Sequence, residues 1–317
     1  MKIIFIINTL LFVLVSCSTV KTNFKKEYEV FTDLRLENGI RIKGTNSADP
    51  FTKSIIYPFG KIDRAKITWA LAEWGSKKDL TNVAPNNTKD GITYSEAGKN
   101  ISFKKENNTV EVTMEVIASD EYDAPRKDGE DWPHLLMEQK IDTNNKIENA
   151  SEMNFTLDVK LLRNEIKMED SEFDPKRHTA QFSIYFSVGN VNPESQSYGD
   201  YLWFGLPIYD YRYSDGIEEY SAQDLGKEDA TNKFIYKPAS KDVFKGNVNN
   251  KEWIKINLDI LPYIKKAIQT AKGRGYLKGS NTPDLAIGSS NIGWEVQGTF
   301  DCSIKYKNLS LTYIPKE

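Results

Sequence analysis

The stretch TVEVTMEV at residues 109–116 alternates a polar residue with an apolar one along its whole length. Successive side chains of a β-strand point to opposite faces, so this pattern predicts a strand with one buried face and one solvent-facing side. The same period returns at residues 155–161, 182–188 and 254–258. Several half-buried strands in one chain indicate two sheets packed face to face. We therefore predict an all-β fold, an antiparallel β-sandwich.

Residues 261–272 are the exception to this pattern, because their apolar side chains recur with a helical period. Four of them fall on one helix face: Leu261, Ile264, Ile268 and Ala271. Asp259 can cap the start, and Gly273 is suited to the end. We predict one short helix laid over an edge of the sandwich, as scaffold.

The N-terminus has the pattern of a secretion signal, with Lys2 followed by an apolar run over residues 3–15. That run is shorter than the about 20 residues that span a membrane. Residues 14–17, Leu-Val-Ser-Cys, resemble the lipobox of bacterial lipoproteins, which implies that Cys17 is lipidated and becomes the mature N-terminus. An uncleaved anchor and ordinary secretory cleavage are the alternatives.

The chain organisation follows from these segments. We predict a signal peptide over residues 1–16, a lipidated tether over 17–27 and a single β-sandwich domain over 28–317, since no internal repeat or Pro/Ser-rich linker argues for two domains. We expect a monomeric lipoprotein of the cell envelope, periplasmic or surface-exposed, whose only contact with the membrane is its lipid anchor.

The charge balance argues against nucleic acid as a partner. The chain has 42 Lys and Arg residues against 45 Asp and Glu, a net charge of −3. Proteins that bind nucleic acid present a basic stripe or a high isoelectric point, because they neutralise phosphates.

The sequence contains few residues that could bind a transition metal. The chain has two histidines, His134 and His178, too few for a Cys/His zinc site, and Cys302 belongs to the apolar half of an alternating strand, which predicts a buried structural thiol. We predict no cofactor. The alternative is a structural calcium ion in the acidic loop 119–131, whose spacing matches no calcium loop and favours a solvated loop. Its candidate ligands would be Asp120, Asp123, Asp128 and Asp131.

Residues 201–213, YLWFGLPIYDYRY, contain six aromatic residues. On a strand, the even positions from Leu202 to Ile208 form an aliphatic face, and the odd positions form a face of Tyr and Trp. Pro207 has no N–H donor and predicts an edge or a bulge, after which Asp210 and Arg212 would join the aromatic face. Packing of both faces in a core is the alternative.

A second candidate stretch is WPHLLMEQK at residues 132–140. On a strand, Trp132, His134 and Glu138 share one face, while Leu135 and Met137 face the core. His134 and Glu138 would lie about 13 Å apart, too far to touch each other but close enough to bind one extended ligand. An ordinary strand histidine with satisfied hydrogen bonds is the alternative for His134.

The third candidate stretch, GWEVQGTFD at residues 293–301, precedes a final strand that ends in NLSL at 308–311. These segments resemble the closing part of carbohydrate-associated jelly-roll β-sandwich modules of secreted glycan-degrading systems. Together with the Trp-Pro-His and Trp-Phe-Gly motifs at 132–134 and 203–205, they are similar to envelope proteins. The resemblance implies a jelly-roll, concanavalin-like sandwich and a sugar ligand.

We therefore predict that the protein binds a polysaccharide or oligosaccharide on an aromatic-lined concave sheet face, because Trp and Tyr rings stack on the C–H faces of sugars. The predicted binding residues are Trp132, His134, Glu138, Tyr185, Trp203, Tyr209, Asp210, Tyr211, Arg212, Trp294 and Glu295.

The alternative is an enzyme that acts on the same glycan. A polysaccharide lyase would use His134, Tyr185, Gln139 and Arg212, although the Gln-Ile-His and Arg-x-Glu-x-Arg signatures of alginate lyases are missing. A glycosidase would use two carboxylates, although the Glu-x-Asp-x-x-Glu pattern of laminarinases is missing.

Overall fold

A computed structural model of the protein describes residues 26–49, 51–60, 63–89, 91–225 and 230–317. The predicted signal peptide and the predicted lipidation site Cys17 lie outside the described residues. Among the residues described, no helix has both the length and the apolar character needed to cross a membrane.

The described chain consists mainly of strands. In chain order they are β1 (Tyr28–Glu29), β2 (Ile40–Gly44), β3 (Ser54–Ile56), β4 (Trp69–Ala72), β5 (Asn86–Thr88), β6 (Gly91–Glu96), β7 (Lys99–Glu106), β8 (Thr109–Ile117), β9 (His134–Lys140), β10 (Ala150–Ile166), β11 (Thr179–Asn190), β12 (Tyr201–Asp210), β13 (Tyr220–Gln223), β14 (Phe234–Lys237), β15 (Ile254–Asp259), β16 (Leu285–Gln297) and β17 (Phe300–Pro315). The α-helices are α1 (Ser240–Val243) and α2 (Leu261–Gly273).

The strands form two sheets. Within the described ranges, sheet A has the order β15-β10-β17-β8-β7-β6-β5, with β1 also paired to β17, and sheet B has the order β13-β14-β12-β11-β16-β9-β4-β2-β3. Described neighbours are antiparallel except for β12 with β14 and β2 with β4, which are parallel. The predicted all-β sandwich is confirmed, with these two parallel pairs as an addition.

The core lies between the two sheets. Phe155 of β10 meets Phe186 of β11 edge-on at 6.2 Å, and Trp294 of β16 donates its indole N–H to the carbonyl oxygen of Met114 in β8 at 3.0 Å. The apolar halves of the stretches 109–116, 155–161 and 182–188 are buried there, as their alternation predicts. Cys302 is buried in the same core, also as predicted, and this burial raises the pKa of its thiol well above the usual value.

The predicted helix is α2. Its buried residues are Leu261, Ile264, Ala267, Ile268 and Ala271. The Asp259 carboxylate accepts hydrogen bonds from the backbone N–H of Leu261 at 3.0 Å and of Met153 at 2.9 Å, so it caps the first turn and joins the helix to β10. The helix packs against β10, β12 and β14 and serves as scaffold.

A buried ionic cluster joins the ends of β4 and β7. Lys99 lies 3.0 Å from Glu121 and 3.8 Å from Glu73, and all three side chains are fully buried. The backbone N–H of Leu80 donates to Glu73 at 3.0 Å, and that of Lys77 donates to Glu121 at 2.6 Å. One ammonium with two carboxylates carries a net charge of −1, so the cluster becomes neutral when one carboxyl holds a proton.

The free energy of unfolding should therefore depend on pH through Glu73. Burial raises the pKa of Glu73 to about 7, against the opposing effect of Lys99. A carboxyl whose pKa is raised in the folded state stabilises it below the unfolded value and loses that contribution as pH rises through the folded value. We expect the free energy of unfolding to fall by roughly 2–3 kcal/mol between about pH 5 and about pH 8.

Urea unfolding of the wild type and of Glu73→Gln at both pH values checks this expectation. Other groups contribute equally to both proteins, so the difference between the two pH slopes reports on Glu73. Equal slopes would contradict it.

Candidate functional site

The outward face of sheet B carries most of the residues that the sequence predicts to bind a ligand. On β9, Leu135 and Met137 are buried in the core, whereas His134 and Leu136 line an external cavity. The predicted division of residues 132–140 between two faces is therefore confirmed.

Two adjoining cavities on this face, of about 410 Å³ and about 470 Å³, form one depression that we call the sheet B cleft. Both cavities are lined by Trp132, Tyr185, Asp224, Ile235 and Glu295. The first also includes Trp74, His134, Leu136, Trp203 and Asn291, and the second includes Gln181, Asp210, Arg212 and Lys237. The fold thus brings seven of the predicted binding residues to one cleft: Trp132, His134, Tyr185, Trp203, Asp210, Arg212 and Glu295.

A β-bulge at Pro207 controls which residues of β12 reach the cleft. Phe182 of β11 pairs with Tyr209 and the next residue, Ser183, pairs with Pro207, so Ile208 is an extra residue in β12. Ile208 and Tyr209 are consecutive and yet both buried, at 2% and 3% exposed. The predicted reversal of side-chain direction at Pro207 is confirmed.

Because of this bulge, Asp210 and Arg212 lie on the cleft side. Arg212 donates from Nε to Asp210 Oδ1 at 2.9 Å and from Nη2 to Oδ2 at 2.6 Å. The Thr179 hydroxyl donates to the same carboxylate at 2.7 Å. This carboxylate is thus fully engaged by the protein itself, and it holds the guanidinium at the edge of the cleft.

Two predicted binding residues, Tyr209 and Trp294, lie in the core, which corrects the expectation for both. Their exposures are 3% and 0%, and their rings meet edge-on at 5.7 Å. Trp294 points inward because its neighbour on β16, Glu295, points into the cleft. Tyr209 points inward because of the same bulge that turns Asp210 outward.

Three further candidates lie away from the cleft. Tyr211 packs on Phe300 at 4.8 Å, at the edge of the core. Glu138 is on the outward face but forms an ion pair with Lys43 at 2.5 Å, and burial raises the pKa of its carboxyl. Gln139 is on the inward face at 2% exposed, where its side chain bonds the backbone N–H and C=O of Thr32 at 2.7 Å and 2.8 Å. The predicted catalytic role of Gln139 is therefore wrong, because strand alternation places it opposite His134.

Trp203, like Trp74, presents a half-buried indole to the cleft. Its ring is half-buried and meets Tyr185 edge-on at 6.3 Å and Tyr201 at 5.2 Å. Its indole N–H donates to the Thr231 hydroxyl at 3.2 Å, and that hydroxyl donates to Asp224 at 2.6 Å. This chain of contacts sets the orientation of the ring.

Trp132 lines the cleft, but both faces of its indole ring are covered by other side chains. It is 6% exposed, with the ring of His134 stacked on it at 5.5 Å and the Arg126 guanidinium at 4.5 Å from its centre. The His134 Nδ1 lies 2.9 Å from the carbonyl oxygen of Trp132 and 3.0 Å from that of Trp74. Two acceptors at this nitrogen favour the tautomer with the proton on Nδ1, so Nε2 is the basic nitrogen.

The floor of the cleft contains polar groups that the sequence analysis missed. Lys237 Nζ lies 3.2 Å from Gln181 Oε1 and 4.9 Å from the centre of the Tyr185 ring. Gly205 makes this arrangement possible, because a Cβ there would lie 2.6 Å from Cε1 of Tyr185 and 3.2 Å from Cγ of Lys237. The alternation of FIYK at 234–237 predicts that Lys237 points outward. A strand of four residues does not indicate which strand it pairs with, so the contact with Gln181 could not be predicted.

The described residues contain no group of three or more His, Cys, Asp or Glu side chains that could hold a metal ion. In the acidic loop considered for calcium, Asp128 is instead bound by Arg177, with contacts of 2.6 Å and 2.9 Å.

Comparison with known proteins gives a likeness of shape only. No family model matches this chain, and no curated protein does. Among solved structures, it is similar to endoglucanase cel12A from Rhodothermus marinus (TM-score 0.39, 10% identity, 74% of this chain and 97% of that one). It is also similar to a family 12 xyloglucanase from Bacillus licheniformis (0.39, 10%, 73% and 97%) and to the family 11 xylanase from Neocallimastix patriciarum (0.35, 9%, 74% and 96%). Likeness at this level carries no argument about activity.

Proposed function

We propose that this protein binds a glycan in the sheet B cleft, as a lipoprotein held at the cell envelope by a lipid on Cys17. The observation that carries the binding proposal is the half-buried ring of Trp203, which lines the cleft together with Asn291 and Glu295. The anchor is supported by the lipobox-like residues 14–17.

The cleft combines the two kinds of contact that a sugar requires. The Trp203 ring offers a flat apolar surface for the C–H face of a pyranose, and Tyr185 and Tyr201 fix its position from the sides. Asn291 and Glu295 line the same cavity and offer hydrogen-bonding groups for sugar hydroxyls. A concave, mostly apolar site with a few polar groups is typical of small-ligand binding.

Substitution of Trp203 tests the proposal. We expect Trp203→Ala to weaken glycan binding by roughly 1 kcal/mol or more, because the stacking surface is lost. The measurement is retardation in gels that contain immobilised polysaccharides. Phe51→Ala, at an exposed aromatic residue that does not line the cleft, is the matched control and should migrate like the wild type. The absence of retardation by any glycan in a broad panel would overturn the proposal.

A lyase acting on the same glycan is the second candidate, and the geometry of His134 favours it. With its proton on Nδ1, His134 could remove the C5 proton of a uronate through Nε2. Tyr185 lines the same cavity, and its phenol could protonate the leaving oxygen as the C4–O bond breaks and a C4–C5 double bond forms. Ultraviolet absorbance of the unsaturated product tests this candidate, and a flat trace on all uronate polymers would exclude it.

A further inference from the structure

Lys237 is a buried cation at the floor of the sheet B cleft. Its side chain is on β14, which runs parallel to β12, and its Cγ lies over Gly205. It is 8% exposed and lines the larger cavity. Its ammonium therefore lies between Gln181 and the Tyr185 ring, at the base of the space that a ligand would fill.

This ammonium has no carboxylate in contact among the described residues. It contacts the neutral Gln181 Oε1 at 3.2 Å and the Tyr185 ring. A buried charge is costly unless it is paired, because neither solvent nor an opposite charge compensates for the loss of hydration. Burial lowers the pKa of Lys237 accordingly, while Glu295 and Asp210 act in the opposite direction from a greater distance.

The carboxylates around Lys237 are engaged elsewhere or lie too far away. Asp210 is bound by Arg212 and Thr179, and Asp224 accepts hydrogen bonds from the backbone N–H of Thr231 at 2.9 Å and from its hydroxyl at 2.6 Å. On the rim, Glu219 forms an ion pair with Lys266 at 2.5 Å, and Glu218 is mostly in solvent. Glu295 also faces the cleft, beyond ion-pair distance of Lys237.

We infer that the floor of the cleft is a subsite for one oxyanion substituent of the glycan, a carboxylate or a sulfate, and that Lys237 Nζ contacts it. The inference rests on the proposed function, and it names the class of ligand: an acidic glycan. The oxyanion would provide the negative charge that Lys237 lacks within the protein. A sugar ring of the same glycan would stack on Trp203. Salt should weaken this contact less than it would at an exposed lysine, because the site is buried.

The test compares glycans that differ only in charge. The probes are polygalacturonate against its methyl ester, and dextran sulfate against dextran, each immobilised in a gel. We expect the wild type to be retarded more by the charged member of at least one pair, and which pair responds separates a carboxylate from a sulfate. In Lys237→Met this preference should fall by roughly tenfold or more, the effect of losing a charge-assisted hydrogen bond.

Lys160→Met is the matched control, because Lys160 lies on β10 in sheet A and its loss changes the net charge equally. It should retain the preference. Lys237→Arg, which keeps the charge, should retain part of it and covers the case in which Lys237→Met does not fold. Glu295→Gln should tighten binding of the charged glycan, since it removes a like charge from the cleft.

The outcomes separate the two proposals. Equal retardation by charged and neutral members, still sensitive to Trp203→Ala, would overturn the acidic subsite and leave glycan binding intact. Retardation by neither member of either pair would overturn the acidic subsite, and glycan binding itself would be overturned only if the broad panel also gave no retardation. Weaker binding of the charged glycan in Glu295→Gln would also overturn the subsite, because it would show that the negative charge of Glu295 favours the ligand and does not repel it.

Discussion

Trp294→Ala should destabilise the folded protein by about 3–5 kcal/mol, while Trp203→Ala should change its stability by less than about 1 kcal/mol. The two tryptophans are on different strands of the same sheet but on opposite faces. Trp294 is fully buried, contacts Phe182 at 5.3 Å and donates its indole N–H to Met114. Its removal leaves a cavity between the sheets and breaks the hydrogen bond to the Met114 carbonyl oxygen.

Urea unfolding monitored by far-ultraviolet circular dichroism measures both variants, and the gel assay measures their binding. We expect Trp294→Ala to lose stability and Trp203→Ala to lose binding. A large loss of stability in Trp203→Ala would place that ring in the scaffold and would remove the main support for the proposed glycan site.

Lys99→Met should destabilise the protein by about 3–5 kcal/mol near neutral pH, because it leaves Glu73 and Glu121 buried without their cation. The cost arises from the uncompensated charge rather than from lost packing, since Met has nearly the same shape as the Lys stem. The second substitution Glu121→Gln in the same chain should recover part of the loss, because it removes a buried carboxylate that has lost its cation. Gln can still accept the hydrogen bond from the Lys77 backbone N–H.

Lys160→Met serves again as the control and should change the free energy of unfolding by no more than about 0.5 kcal/mol. Equal unfolding midpoints for Lys99→Met and the wild type would mean that the cluster is hydrated and does not depend on its cation. The position of Gly98 supports a tight cluster: its φ is 91°, and a Cβ there would lie 2.2 Å from Cγ of Glu121.

Much of the fold could be predicted because a strand alternates its side chains by its own backbone geometry. The stretches 109–116 and 155–161 required no knowledge of their neighbours for their buried halves to be identified. The same alternation identified which residues of the stretch 132–140 face the cleft. Pro207 also carried a local signal, the missing N–H donor, and it placed Asp210 and Arg212 correctly.

The errors have physical causes of two kinds. The bulge at Pro207 reverses the direction of every later side chain, so the reversal that turns Asp210 toward the cleft also turns Tyr209 into the core. Trp294 was chosen for its residue type, but a tryptophan beside an outward Glu295 on one strand must point inward. Gln139 was displaced from His134 by an odd number of residues and so could not share its face.

The amino-acid sequence by itself determined the side of each strand that is buried and the place of α2, because both are properties of a few consecutive residues and their backbone. The tertiary structure decided which strands are neighbours, and therefore that Tyr185, Trp203, Lys237 and Glu295 share one cleft. Lys237 and Gln181 meet across 56 residues of sequence. Such pairings depend on the strand order of the whole of sheet B, whose free energy is spread over the chain and leaves no local pattern at either residue.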